Sequence, residues 1–139
     1  MTAGRKIAWG VGGTVAAASV WELGWWFRRL AVRKRVYREA LAEAKRLGRP
    51  LVVVGAPDLG PTPGPGCGDY TVDIDPTTCP GGIRADITRP LVFFPDDSAV
   101  VFVSYVLEYV NDLDAARQEL LRIAGDESRL FIIRVEPWT

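Results

Sequence analysis

Residues 7–27 carry a single charged side chain, Glu22, and this near-neutral stretch sets aside about a seventh of the chain before any globular fold begins. A helix over it would be about 31 Å long, close to the roughly 30 Å hydrocarbon layer of a bilayer. Trp21, Trp25 and Trp26 stand at its far end, where interfacial aromatic residues gather, with Glu22 among them. Only Arg5 and Lys6 precede the stretch, whereas Arg28, Arg29, Arg33, Lys34, Arg35 and Arg38 follow it. The positive-inside rule then predicts a single-pass membrane anchor over residues 1–27, with the larger C-terminal part in the cytoplasm. A cleaved signal peptide ending near Ala16, Ala17 and Ala18 is the rival reading, and a buried soluble helix is the third. Gly12 and Ala16 are four apart, as are Gly13 and Ala17. That spacing gives the anchor a small-residue face on which another membrane helix, and hence another protein subunit, could pack.

Residues 28–50 read as a basic amphipathic helix and its stop. Leu30, Val36, Tyr37, Ala40, Leu41, Ala44 and Leu47 recur at three- and four-residue steps, and Gly48 and Pro50 end the pattern. The basic first half, directly after a membrane segment, suits anionic lipid headgroups. Over the whole chain 17 basic residues balance 17 acidic ones, so the net charge gives nucleic acid no general attraction. There is no histidine, which removes the commonest general base and the commonest metal ligand.

After Pro50 short apolar runs alternate with polar connections. Residues 51–55, 70–74, 82–87, 99–104 and 130–135 predict strands, and residues 113–124 predict an amphipathic helix. Asn111 or Asp112 would cap that helix and Gly125 would end it. Apolar strands with an intervening helix predict an α/β domain over residues 51–139 with a mainly parallel five-strand sheet. Residues 55–69, GAPDLGPTPGPGCGD, hold too many prolines and glycines for a helix, so the first crossover must be irregular chain. Cys67 and Cys79 lie in loops. Their spacing leaves a disulfide open, whereas the expected cytoplasmic side weighs against one. Two cysteines without histidine do not complete a zinc site, and Asp69, Asp73, Asp75 and Asp86 read as turn residues, so no metal is expected. Tyr105 and Tyr109 read as core packing with the hydroxyl at the rim.

Residues 83–125, IRADITRPLVFFPDDSAVVFVSYVLEYVNDLDAARQELLRIAG, carry a resemblance. An acid in a short loop (Asp86) is followed by Leu91 to Phe94, the turn Pro95-Asp96-Asp97-Ser98, a valine-rich strand and Val106-Leu107-Glu108. This order resembles the second half of the core of class I S-adenosylmethionine (SAM)-dependent methyltransferases, type 11-like. Upstream, Val72 to Pro76 is similar to the end of that family's second strand. The resemblance implies a minimal Rossmann-like fold in strand order 3-2-1-4-5, with the helix over residues 36–47 packed beside the first strand. It also implies a SAM site, with Asp73 on the ribose, Asp86 near the adenine amine, and Gly55 and Ser104 at the strand ends. The family's first motif, an acid and then Gly-x-Gly-x-Gly, falls on Val53, Gly55, Pro57 and Leu59, so only its first glycine survives. The last two strands of the family have no counterpart within residues 51–139. What remains is a vestigial cofactor site of Gly55, Asp73, Asp86 and Ser104, with no catalytic residue. The expected function is a non-catalytic, membrane-anchored scaffold or subunit. The alternative is an active methyltransferase using SAM on a lipid or small molecule, by positioning rather than by a histidine base.

Overall fold

The computed structural model describes residues 2–56, 66–76 and 79–134, with side chains from Val20 onward. The prolines and Leu59 of the first crossover, the Gly12/Ala16 and Gly13/Ala17 spacing, and the last residues of the 130–135 run lie outside that description. The chain divides into two compact units, Met1–Arg33 and Lys34–Thr139.

The membrane stretch and the basic helix expected separately belong to one helix, α1 (Thr2–Leu47). Within the first unit Val20, Trp21, Leu23 and Phe27 are exposed, and the Arg29 guanidinium lies 4.5 Å from the centre of the Trp25 ring. Among the described residues no helix is long and apolar enough to cross a membrane, Glu22 being one residue that lowers the mean hydropathy.

The second unit is an α/β domain. Its strands are β1 (Leu51–Val54), β2 (Tyr70–Asp73), β3 (Ile83–Arg84), β4 (Val100–Ser104) and β5 (Leu130–Ile133), all shorter than or equal to the apolar runs that announced them. They form one sheet in the order β3-β2-β1-β4-β5, and every pair is parallel. All four residues of β1 and all five of β4 are buried, as continuous valine-rich runs require when both faces of a sheet are covered.

On one face the Lys34-to-Leu47 part of α1 presents Ala40 and Ala44, both buried, and the Tyr37 ring meets Phe102 edge-on at 5.8 Å. On the other face α2 (Leu113–Ala124) presents Ala116, Leu120 and Ile123 to Val52, Val54, Val101 and Val103. The segment between β3 and β4 covers the rest of that face with Ile87, Leu91 and Phe94, and it does so without a helix. Of the two expected caps it is Asp112 that serves, its carboxylate accepting from the Ala115 amide at 3.0 Å. Gly125 ends α2 at φ 79°, and a side chain there would overlap the Asp97 carboxylate.

The turn 95–98 of the family-like stretch lies at the amino edge of the sheet and holds structure together. The Ser98 hydroxyl donates to Pro95 O at 2.6 Å. Asp97 accepts from Arg49 at 2.6 Å and from Arg129 at 2.7 Å, and these partners, the Arg49 hydrogen bond first, hold its carboxyl below the usual range. Arg122 reaches Asp96 at 2.7 Å, Phe94 O at 2.9 Å, Leu91 O at 3.1 Å and the Glu119 carboxylate. Its proton is held more firmly than in a free arginine, with Glu119 the chief cause.

Cys67 and Cys79, whose pairing the sequence left open, form a disulfide, although the expected cytoplasmic side weighed against one. The physical reason is the parallel pairing. Chain leaving the carboxyl end of β2 must return to the amino edge before β3 can start, and this brings Cys79 beside Cys67, three residues ahead of β2. Their Cα atoms are 5.9 Å apart, inside the range a bridge spans.

Glu119 supplies a pH test. Its hydrogen bond from Arg122, and then the Leu91 amide, lower its folded pKa, while burial opposes them. A lowered carboxyl contributes stability that is complete above its free value of about 4.3 and is lost as pH falls toward the folded value. We therefore expect Glu119→Gln to be less stable than the parent at pH 7 and to lose less of its melting temperature between about pH 5 and pH 3. Parallel melting curves that fall equally over that interval would remove Glu119 from the acid response.

Candidate functional site

In an open α/β sheet a ligand has room outside the carboxyl ends of the strands, where the strand order reverses. Here that point lies between β1 and β4, because the chain runs outward from β1 through β2 to β3 and then returns to β4 and β5. Gly55 follows β1 and Ser104 ends β4, both buried. Gly55 sits at φ 94°, and a β-carbon built on it would stand 2.6 Å from Ser104 O and 2.5 Å from Val106 Cγ2. The space that a glycine leaves open for a ligand in such a fold is therefore filled by this chain's own backbone and by Val106.

Tyr105 directs Val106 into this position. It adopts φ 52° immediately after β4, a left-handed conformation uncommon for an aromatic residue, and its amide donates to Ile133 O at 3.1 Å. The chain thereby turns across the end of the sheet into the short 3-10 turn Leu107–Tyr109. Leu107 is buried, but Tyr109 is 77% exposed, which corrects the expectation that both tyrosines pack into the core. Tyr105 is half-buried.

Asp73, at the end of β2, is half-buried and turned toward the β1 loop. Its Oδ2 accepts from the Ala56 amide at 2.7 Å and its Oδ1 from the Asp75 amide at 3.1 Å. Two backbone donors thus use one acceptor site on each oxygen of a carboxylate that offers about four. The Gly55 amide donates to Val72 O at 2.9 Å, so the loop after β1 is fastened to β2 by two consecutive amides.

Asp86 lies two residues beyond β3 and is exposed. Its Oδ1 accepts from both the hydroxyl and the amide of Thr88, at 2.7 and 2.9 Å, and these bonds, the hydroxyl's first, lower its pKa. The Ala85 amide donates to Asp73 O at 3.0 Å, which keeps the start of the Asp86 loop against the end of β2.

Of the four residues singled out in the sequence, the structure joins Gly55 to Ser104 by backbone contact and Gly55 to Asp73 through the amide that follows it. Asp86 shares their edge of the sheet, with its carboxylate committed to a local turn. Val106, Tyr105 and Ala56 carry as much of the geometry, although the sequence marked Val106 only as part of the family-like stretch, Tyr105 only as core packing, and Ala56 not at all. A valine in a strand-rich segment reads as core, and a left-handed tyrosine runs against its own backbone preference. Among the described residues no group of three histidine, cysteine or acidic side chains is placed to hold a metal ion. No family model matches the chain, and no curated protein or solved structure matches it either.

Gly55→Ala tests how tightly this edge is closed. The substitution places a β-carbon against Ser104 O on a backbone with positive φ, so we expect a loss of at least about 2 kcal/mol in chemical denaturation. A variant as stable as the parent would mean that β1 and β4 separate readily at their carboxyl ends.

Proposed function

We propose that this chain is a membrane-anchored, non-catalytic scaffold: a Rossmann-like, methyltransferase-like domain that serves as a subunit of a membrane-associated protein assembly. The observation that carries the reading is the close approach of Ser104 O and Val106 to the place a β-carbon on Gly55 would take. A cofactor held by close backbone approach at the end of β1 would have to displace both. The amide of Ala56, a natural donor to a ligand at this point, is given instead to Asp73.

Support for the anchor comes from the first unit. Val20, Trp21, Leu23 and Phe27 are 71%, 61%, 56% and 60% exposed, an apolar surface that water disfavours. Trp25 and Trp26 lie among them, and Arg28 follows at once with its side chain exposed. Such a mixture suits the headgroup level of a bilayer. The C-terminal domain is assigned to the cytoplasm on the excess of basic residues after residue 27. A partner subunit, through the small-residue spacing at Gly12/Ala16 and Gly13/Ala17, completes the reading.

The second reading is an active SAM-dependent methyltransferase acting on a lipid or small molecule near the membrane. It is favoured by the all-parallel sheet in the order β3-β2-β1-β4-β5 and by the free acceptor capacity of Asp73.

Calorimetry with SAM on the purified full chain separates the two readings. The scaffold reading expects no saturable heat at tens of micromolar, a range set by the affinity scale on which about 1.4 kcal/mol is tenfold. Saturable binding that disappears in Asp73→Ala would establish the second reading in its place. The anchor is tested by protease treatment of sealed vesicles, where we expect cleavage after Pro50 from the cytoplasmic side. Protection of that region would reverse the orientation.

A further inference from the structure

We infer that the Cys67–Cys79 disulfide is a thiol-redox clasp whose opening releases β3 and the chain leading into it, while β1, β4 and β5 stay folded. The inference does not depend on whether SAM binds.

The sheet is held unequally at its two sides. β4 is paired to β1 over four positions and to β5 over four more. β3 has two residues and pairs with β2 at two positions only, Val72 with Ile83 and Asp73 with Arg84. No helix among the described residues covers the β2-to-β3 connection, where a parallel crossover ordinarily packs one. Its fastenings among the described residues are weak. Arg84 and Asp75 pair at 3.3 Å on the exposed surface, a contact worth little in water. The Gly82 amide bonds within its own turn to Cys79 O at 3.1 Å, and the Ala85 amide bonds to Asp73 O at 3.0 Å. The disulfide is the covalent tie between this connection and the start of β2, and it closes a loop with a sequence separation of 12 that contains the whole of β2.

The two sulfurs differ in access. Cys79 is 4% exposed, whereas Cys67 is half-buried. A thiolate of an external dithiol therefore attacks Cys67 Sγ and forms a mixed disulfide with it, and Cys79 leaves as a thiolate that takes up a proton. The second thiolate of the reagent then displaces Cys67, closing the reagent into a cyclic disulfide. Two electrons pass from the dithiol to the protein, which ends with two thiols. Once Cys79 is free, the fastenings of β3 among the described residues are two ladder positions, the Ala85 amide's bond to Asp73 O, an exposed ion pair and the contacts of Ile83 and Ala85 with the core. Asp86, immediately beyond β3, moves with it, so the redox state decides whether the Asp73 and Asp86 side of the sheet is presented as one surface.

The test is amide hydrogen exchange on the full chain in detergent, oxidised and after reduction with dithiothreitol. The amides of Gly82 and Ala85 report the clasped segment, and those of Val100 and Tyr105 report the rest of the sheet, where they donate to Pro50 O and Ile133 O. Reducing a disulfide that only restrains the unfolded chain lowers the protection of every globally exchanging amide by the same factor. Opening a clasp lowers that of Gly82 and Ala85 further, and we expect reduction to accelerate these two by roughly tenfold more than Val100 and Tyr105. The double variant Cys67→Ser, Cys79→Ser should show the reduced pattern without reductant and should not respond to dithiothreitol. Equal acceleration at all four amides, or none at Gly82 and Ala85, overturns the inference, and the reduced parent protein decides it even if the double variant does not fold.

Discussion

The parallel enclosure of β1 is the constraint on which the rest of the domain depends. All four of its residues are buried, and it is paired to β2 on one side and to β4 on the other. A strand in that position has no solvent face, so both sides of the sheet must be covered. Tyr37, Ala40 and Ala44 do this from α1, and α2 does it from the other side together with Ile87, Leu91 and Phe94. Parallel pairing also forces each connection to return to the amino edge of the sheet. Among the described connections one uses a helix, α2, and the others use irregular chain. The disulfide and the Arg122 hydrogen bonds lie where that irregular chain needs fastening.

The two edges of the sheet have taken different parts. At the amino edge, Asp97 joins Arg49 and Arg129, and Arg122 joins Asp96, Glu119 and two backbone carbonyls. Each charge there meets an opposite one or a carbonyl dipole, and the arginines draw together positions far apart in the chain. At the carboxyl edge the polar groups are turned inward on the loops. Asp73 binds the amides of Ala56 and Asp75, Asp86 binds Thr88, and Gly55 gives up its open side to Ser104 and Val106. An edge arranged in this way has its loops bound to one another, which is the observation the proposed scaffold reading rests on.

The turn 95–98, a main carrier of the methyltransferase resemblance, belongs to the amino edge and not to the carboxyl edge on which that resemblance would place a cofactor. Its acids are spent on ion pairs with Arg49, Arg122 and Arg129. Likeness at this turn therefore carries no argument for a cofactor site, because packing at the amino edge already accounts for its acids.

The sequence by itself determined which segments are strands, where α2 begins and ends, and which face of the chain after Lys34 is apolar. Those properties follow from local periodicity and from local caps. Runs such as Leu51 to Val54 and Val100 to Val103 are apolar on both faces, and Asp112 and Gly125 act within four residues of themselves. The strand order came from the resemblance, and the parallel pairs bear that order out. Only the tertiary structure decided that Cys67 meets Cys79, that Asp97 bridges Arg49 and Arg129, that the Ala56 amide faces Asp73, and that Val106 lies beside Gly55. Each of these is a contact between residues remote in the chain or a backbone angle imposed against preference, as at Tyr105. Local pattern sets how deeply a side chain is buried, but the partner it meets there is set by which strands the parallel sheet brings side by side.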